Sequence, residues 1–211
     1  MTLPNIHKSM LIGGAMLAAF ALVAALLVAL TYESTIDQIA ENERQALLKS
    51  LHILVPEESH DNDIFTDLIQ VRAEELASKK FPFISVYRAR MGTIPVAAIL
   101  EVISPEGYSG NIKFLVAIKY NGQIGGVRVI SHRETPGLGD GIEARKSDWI
   151  QNFNQKSLEK TPLRQWQVKK DGGQFDQLTG ATITSRAVVK TTRKALEYFD
   201  IHKHELFLRA Q

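Results

Sequence analysis

From Ser9 to Tyr32 no residue carries a charge. At a rise of about 1.5 Å per residue, such a run is long enough as a helix to cross a hydrocarbon core of roughly 30 Å. The competing reading is a cleaved signal peptide, whose apolar part is usually shorter, about 7–15 residues. No convincing small-x-small cleavage site follows Leu30, so a retained transmembrane helix is the expectation. His7, Lys8 and the amino terminus flank one end, and Glu33, Asp37, Glu41 and Glu43 the other. The positive-inside tendency then puts the N-terminus in the cytoplasm and the rest of the chain outside.

The remaining residues of the 211 leave room for one globular domain with its own core. The 25 basic and 23 acidic residues are mixed along the chain, with no basic stripe to suggest a nucleic-acid partner. The absence of cysteine excludes disulfides, thiolate-bound zinc, iron–sulfur ligation and Cys-x-x-Cys-His haem attachment. Any redox role has to use another cofactor.

After the span, Ile36, Ile39, Ala40, Ala46, Leu47 and Leu51 recur at three- and four-residue steps, predicting a stalk helix over Glu33 to Leu54 that Pro56 ends. Glu57 to Asp63 reads as an exposed loop, and Ile64 to Lys79 as a further short helix. Ile84 to Arg90 and Val96 to Ile103 are β-prone runs on either side of Met91-Gly92-Thr93. Ile112 to Tyr120 and Gln123 to Ile130 flank Asn121-Gly122, the strongest two-residue hairpin signal because both positions tolerate positive φ. Helices are expected over Ala144 to Gln155, with Trp149 and Phe153 four apart, and over Ser185 to Asp200, with Val188, Thr192, Ala195 and Phe199 along one side. The fold class is therefore α+β: one N-terminal transmembrane helix, then an antiparallel sheet with flanking helices.

The most informative stretch runs from Asp176 to Ser185 and places four hydroxyls, Thr179, Thr182, Thr184 and Ser185, within seven residues. Gly180 lets backbone approach a ligand closely, and free amides at a helix start attract a phosphate. Taken alone, the stretch reads first as a helix capped by Thr184 or Ser185. Asp176-x-x-Thr179-Gly180-Ala181-Thr182, however, resembles the acceptor motif on which a flavin transferase attaches FMN to threonine through a phosphodiester, and no motif position departs from the pattern. Gly107-Tyr108-Ser109-Gly110, His132 to Asp140, Ser147-Asp148-Trp149 and Lys169 to Gly173 follow in the order of the same family. Together they are similar to the G subunit of the Rnf (Rsx) ion-translocating electron-transport complexes. The similarity covers Tyr87 to Phe199 and the single N-terminal span.

That resemblance implies a single-pass protein of the bacterial inner membrane with an FMN-binding domain in the periplasm. Its organisation would be a cytoplasmic N-terminus and span over residues 1–32, stalk and linker helices over 33–80, the FMN-binding domain over 81–200 and a tail over 201–211. FMN would be joined to Thr182 and would relay electrons between carriers of a complex linking ferredoxin and NAD, with no substrate turned over by this chain itself. The implied partners are the other complex subunits, the flavin transferase and the membrane. The phosphate, keeping about one negative charge, would gain roughly 0.3–1 kcal/mol from a helix start beyond Ser185, with Arg186 nearby.

Pro136-Gly137-Leu138-Gly139 can line the site through its amides, or be a strand-ending turn stabilised by Asp140. Tyr108 and Trp149 can stack on the ring or belong to the core. His132, Glu134 and Asp140 lack the spacing of a metal set. His202 and His204 read as decoration of a solvated tail. A hydrolase using Ser185, His132 and Asp140 lacks the Gly-x-Ser-x-Gly elbow. The alternatives left are the C-type subunit of a sodium-pumping quinone reductase, which shares the motif, and a membrane-tethered flavin sensor or assembly module.

Overall fold

The computed structural model describes residues 4–78 and 81–208, residues 4–6 by their backbone alone. The amino-terminal charge, the end of the helical pattern at Lys79 and the last three residues of the tail lie outside the described residues. The chain divides into two compact units, residues 1–46 and residues 47–211. Helix α1 runs from Pro4 to Leu54 without a break, as the paired patterns of span and stalk predict. From His7 to Ala40 every side chain is exposed, including Phe20, Leu26 and Leu30. A wholly apolar, unburied surface over the span suits a hydrocarbon surrounding and not water.

The second unit is built on a five-stranded antiparallel meander in the order β1 to β5, comprising Leu68–Arg72, Phe83–Met91, Ile94–Gly107, Gly110–Lys119 and Ile124–Ser131. The Asn121-Gly122 turn forms as expected, with Gly122 at φ 82° and its amide donating to Lys119 O. Pro95 to Leu100 of β3 and Phe114 to Ile118 of β4 are continuous apolar runs because both faces of the sheet are covered. One face packs Val86, Leu100, Phe114 and Val116 against helix α2, Thr182–Phe207, and against Phe153, Trp166 and Phe175. The other packs Ala89, Ile99 and Leu115 against Leu51 and Leu54 of the last turns of α1 and against Ile64.

Two expected helices do not form. Over Ile64 to Lys79 the Asp63 carboxylate accepts from the Phe65 amide at 2.9 Å and turns the chain. Leu68–Arg72 then pairs with β2 as an edge strand, so sheet pairing overrides the helical spacing. Over Ala144 to Gln155 only a 3-10 segment, Trp149–Phe153, is helical. Ser147 donates its hydroxyl to Gly141 O at 2.6 Å and accepts from the Trp149 amide, a local alternative to helix bonding. Gln155, at φ 62°, then donates to Ile124 O and ties the segment to β5.

Helix α2 is longer than expected at both ends. It starts at Thr182 and continues through His202 and His204 to Phe207, so these histidines lie on a helix, His202 half-buried and His204 exposed. His202 shares a hydrogen bond with Tyr198 O, 2.9 Å away, and its ring stacks on Tyr198. Leu206 and Phe207 are buried, and the carbonyls of Leu206, Phe207 and Leu208 accept from Arg88 and Arg90. Both arginines are paired with Asp67, and Arg90 also lies over the Phe207 ring. The last carbonyls of a helix have no partner within it, and here two strand arginines supply one.

Candidate functional site

The hydroxyl-rich loop ends in the first turn of α2. Its residue before the helix is Ala181, and no side chain caps the helix start, so neither Thr184 nor Ser185 is a cap. The Ser185 hydroxyl instead donates to Ala181 O at 3.1 Å and accepts from the Leu178 amide at 3.0 Å, sewing the loop to the helix. The Thr184 hydroxyl donates to the Glu134 carboxylate. Among the described residues, the Thr182 hydroxyl has no such engagement, and its side chain is half-buried.

Further bonds hold the loop from outside. Trp149 donates its indole N–H to Asp176 O at 2.5 Å, and the Asp176 side chain pairs with Lys169 at 2.7 Å. Gly180 has φ 76°, a conformation that costs residues with a Cβ, and a Cβ there would lie 3.0 Å from the Leu138 side chain. The loop is therefore a fixed shelf, with the Leu138 side chain packed over it.

A cleft of about 480 Å³ opens beside this shelf. It is lined by Tyr108 from the β3–β4 turn, by Glu134, Thr135, Leu138 and Gly139 from the segment after β5, and by Gly180 to Thr184. Its size lies within the range of small-molecule sites, about 300–1,000 Å³. The rim is apolar and open, with Tyr108, Leu138 and Ile183 all exposed. The first-turn amides of α2 and the Thr182 hydroxyl supply donors at one side. An uncapped helix start with no acidic residue in its first turn suits an anion.

The residues singled out from the sequence divide around this cleft. Thr182, Thr184, Gly180, Ala181, Leu138, Gly139 and Tyr108 line it. Asp176, Thr179, Ser185 and Gly137 do not: Asp176 and Ser185 support the loop, and Gly137, at φ 78°, makes the turn that presents Leu138. Trp149 is core, its ring edge-to-face with Phe153 at 5.5 Å. Arg186 is bound through two hydrogen bonds, 2.5 and 2.6 Å, to Asp171, and is not a cleft residue. That pair raises the guanidinium and lowers the carboxyl of Asp171.

The acidic residues near the cleft are each committed to a partner. Asp140 accepts from Lys146 at 2.6 Å, and that bond, followed by one from the Gly137 backbone, lowers its carboxyl. His132 lies 3.1 Å from Glu143 through Nε2, while its Nδ1 accepts from the Glu134 amide. Ser185, His132 and Asp140 thus have separate partners and do not form a triad. No cluster of three or more metal-ligating side chains occurs among the described residues.

Glu134, Thr135 and Ile183 also line the cleft, although none of them is expected there from the sequence. Glu134 stands inside the His132 to Asp140 stretch, but a buried carboxylate is recognised as part of a site only once its donors are known. Those donors come from residues 108, 109 and 184, too distant in sequence for a spacing rule.

Residues 107–197 match the family of FMN-binding domains, and residues 1–54 match the RnfG N-terminal region. The chain is 44% identical over 201 residues to the G subunit of the ion-translocating oxidoreductase complex of Shewanella oneidensis, covering 95% of this chain and 94% of that protein. The protein of the same name from Vibrio cholerae serotype O1 is 45% identical over 193 residues, 92% and 91% of the two chains. That of Aliivibrio fischeri is 43% identical over 204 residues, 97% and 95%.

Proposed function

Because this chain belongs to the family of G subunits of the ion-translocating oxidoreductase complexes, we propose that it carries FMN on Thr182 and relays electrons within such a complex. The observation that carries the assignment of Thr182 is its uncommitted hydroxyl, on the cleft, at an uncapped helix start, at the acceptor position of the Asp176-x-x-Thr179-Gly180-Ala181-Thr182 pattern. Thr184 lines the same cleft, but its hydroxyl is given to Glu134.

FMN supplies the ring that accepts and passes on electrons. The chain's residues attach it and hold it. Thr182 Oγ1 would hold the flavin through a phosphodiester, taking the place on phosphorus of the nucleotide leaving group of the transferase's substrate and giving up its proton to the transferase. A flavin transferase supplies the activated flavin nucleotide and the base. The first-turn amides of α2 would face that phosphodiester, a contribution of roughly 0.3–1 kcal/mol at an exposed site. Leu138, Tyr108 and Ile183 offer apolar surface to the ring. A tether at one end reduces the cofactor's freedom and prevents its loss to an open compartment.

The span anchors the protein in the bacterial inner membrane, and the charges flanking it favour the periplasm for the FMN-binding domain, where other subunits of the complex meet it. The relatives named above are all G subunits. This favours the present reading over a C-type subunit of a sodium-pumping quinone reductase or a flavin sensor.

The intact mass of the chain purified from membranes, with fluorescence of the denatured band, tests the attachment. Wild type retains yellow, fluorescent flavin after denaturation, and Thr182→Ala loses it while still folding. A flavin-free wild-type chain from cells that contain the transferase would overturn the proposal.

A further inference from the structure

Resting on the reading of Thr182 as the tether, we propose that Glu134 is the positioning residue that clamps the cleft walls together and thereby immobilises the flavin ring. Glu134 is 4% exposed. Its carboxylate accepts from the Ser109 amide at 2.9 Å, from the Tyr108 amide at 3.2 Å and from the Thr184 hydroxyl. These three donors belong to different parts of the fold: the β3–β4 turn on one wall, and the first turn of α2 on the other. Glu134 itself comes from the segment between them. One side chain therefore fixes how far Tyr108 stands from Thr182.

The surroundings are shaped to this role. A Cβ on Gly139 would come 2.8 Å from the Glu134 Cβ and 3.1 Å from the Thr184 hydroxyl, and one on Gly107 would come 2.9 Å from a Glu134 oxygen. Backbone thus closes on the carboxylate from both sides. A single hydrogen-bonded network inside a packed region has few alternative arrangements, which is the condition for a rigid site. The phosphodiester secures only the end of the flavin chain. Ring orientation has to come from walls that do not drift, and among the residues lining the cleft Glu134 is the one that bonds to both.

Glutamine has the shape of glutamate but can accept at only one of its two terminal atoms, so Glu134→Gln removes part of the clamp with little change in volume. Thr184→Val removes one donor. Full-length protein loaded with flavin in cells and purified in detergent is read by fluorescence anisotropy of the flavin, by its visible circular dichroism and by thermal melting. In Glu134→Gln the denatured chain keeps its flavin, while in the native protein the anisotropy falls and the visible dichroism weakens toward those of the unfolded chain. Thr184→Val shows a smaller change of the same sign. Wild-type anisotropy and dichroism in Glu134→Gln would overturn the clamp. If Glu134→Gln does not fold, Thr184→Val decides: a mobile flavin supports the clamp and an unchanged one overturns it. A wild-type chain with no flavin after denaturation removes the tether and the clamp together, and is told apart from a failed clamp by that denatured sample.

Discussion

Three acidic residues of this domain show how one functional group is put to different uses by its donors. Asp67 meets Arg88 and Arg90 and through them secures the end of α2. Glu134 receives two amides and a hydroxyl beside the cleft. Glu143 is held by Arg145, Lys146 and the His132 ring. Burial by itself raises the Glu143 carboxyl, but hydrogen bonds from Arg145, His132 and Lys146 outweigh burial and take it from 4.5 down to about 2. A carboxyl depressed by folding binds its proton less readily in the folded than in the unfolded chain. Its contribution to stability is therefore complete above about 4.5 and is lost as the pH falls from there through 2. Asp140 and Asp171 are also lowered and act with the same sign. Thermal melting at a series of pH values should show wild type losing stability over this interval, with Glu143→Gln falling less steeply. Parallel curves for the two proteins would mean that Glu143 does not supply the acid sensitivity.

At the level of elements, the features legible in the sequence are those that local chemistry decides. Asn121-Gly122 specifies its own turn, and the apolar spacing of α1 and of Val188 to Phe199 specifies helices whatever lies beside them. The strand Leu68–Arg72 is hidden because its residues also fit a helix, and only pairing with β2 chooses between the two. The stretch around Trp149 mimics a helix because Trp149 and Phe153 are four apart in both a helix and the observed 3-10 segment. Ser147, Gln155 and β5 decide the outcome. At the cleft, the proposed acceptor loop is visible as a motif, whereas its partner Glu134 and its buttress Trp149 depend on contacts between distant segments. The Trp149 contact gives an element-scale prediction. Trp149→Phe keeps a ring against Phe153 but removes the bond to Asp176 O, a net loss of about 1 kcal/mol. The 3-10 segment then no longer restrains the acceptor loop. Denaturant unfolding should show that modest loss, and flavin loading with limiting transferase should slow. Loading at the wild-type rate would show that Ser185 and Lys169 position the loop without help.

For the whole molecule, the question is on which side of the membrane the two ends of α1 stand. An uncharged run crosses a bilayer equally well in either direction, so orientation depends on its flanks. On the N-terminal side these are His7 and Lys8, and on the other side Glu33, Asp37, Glu41 and Glu43. Positive residues near a span are retained in the cytoplasm, whereas acidic residues contribute little to the choice, so the assignment rests chiefly on Lys8. The chain has no cysteine, and this makes the orientation directly measurable, because any thiol introduced is the only one to react. Lys8 and Arg164 are both exposed, the first next to the span and the second on a 3-10 turn of the FMN-binding domain. With a membrane-impermeant maleimide applied to spheroplasts, Arg164→Cys should label at once and Lys8→Cys only after the membrane is opened. The reverse pattern would put the FMN-binding domain on the cytoplasmic side. Lys8→Glu provides the energetic counterpart: if one lysine sets the direction, removing it should give a mixed population, with part of the Arg164→Cys signal becoming protected. An unchanged signal would mean that Lys8 does not fix the orientation.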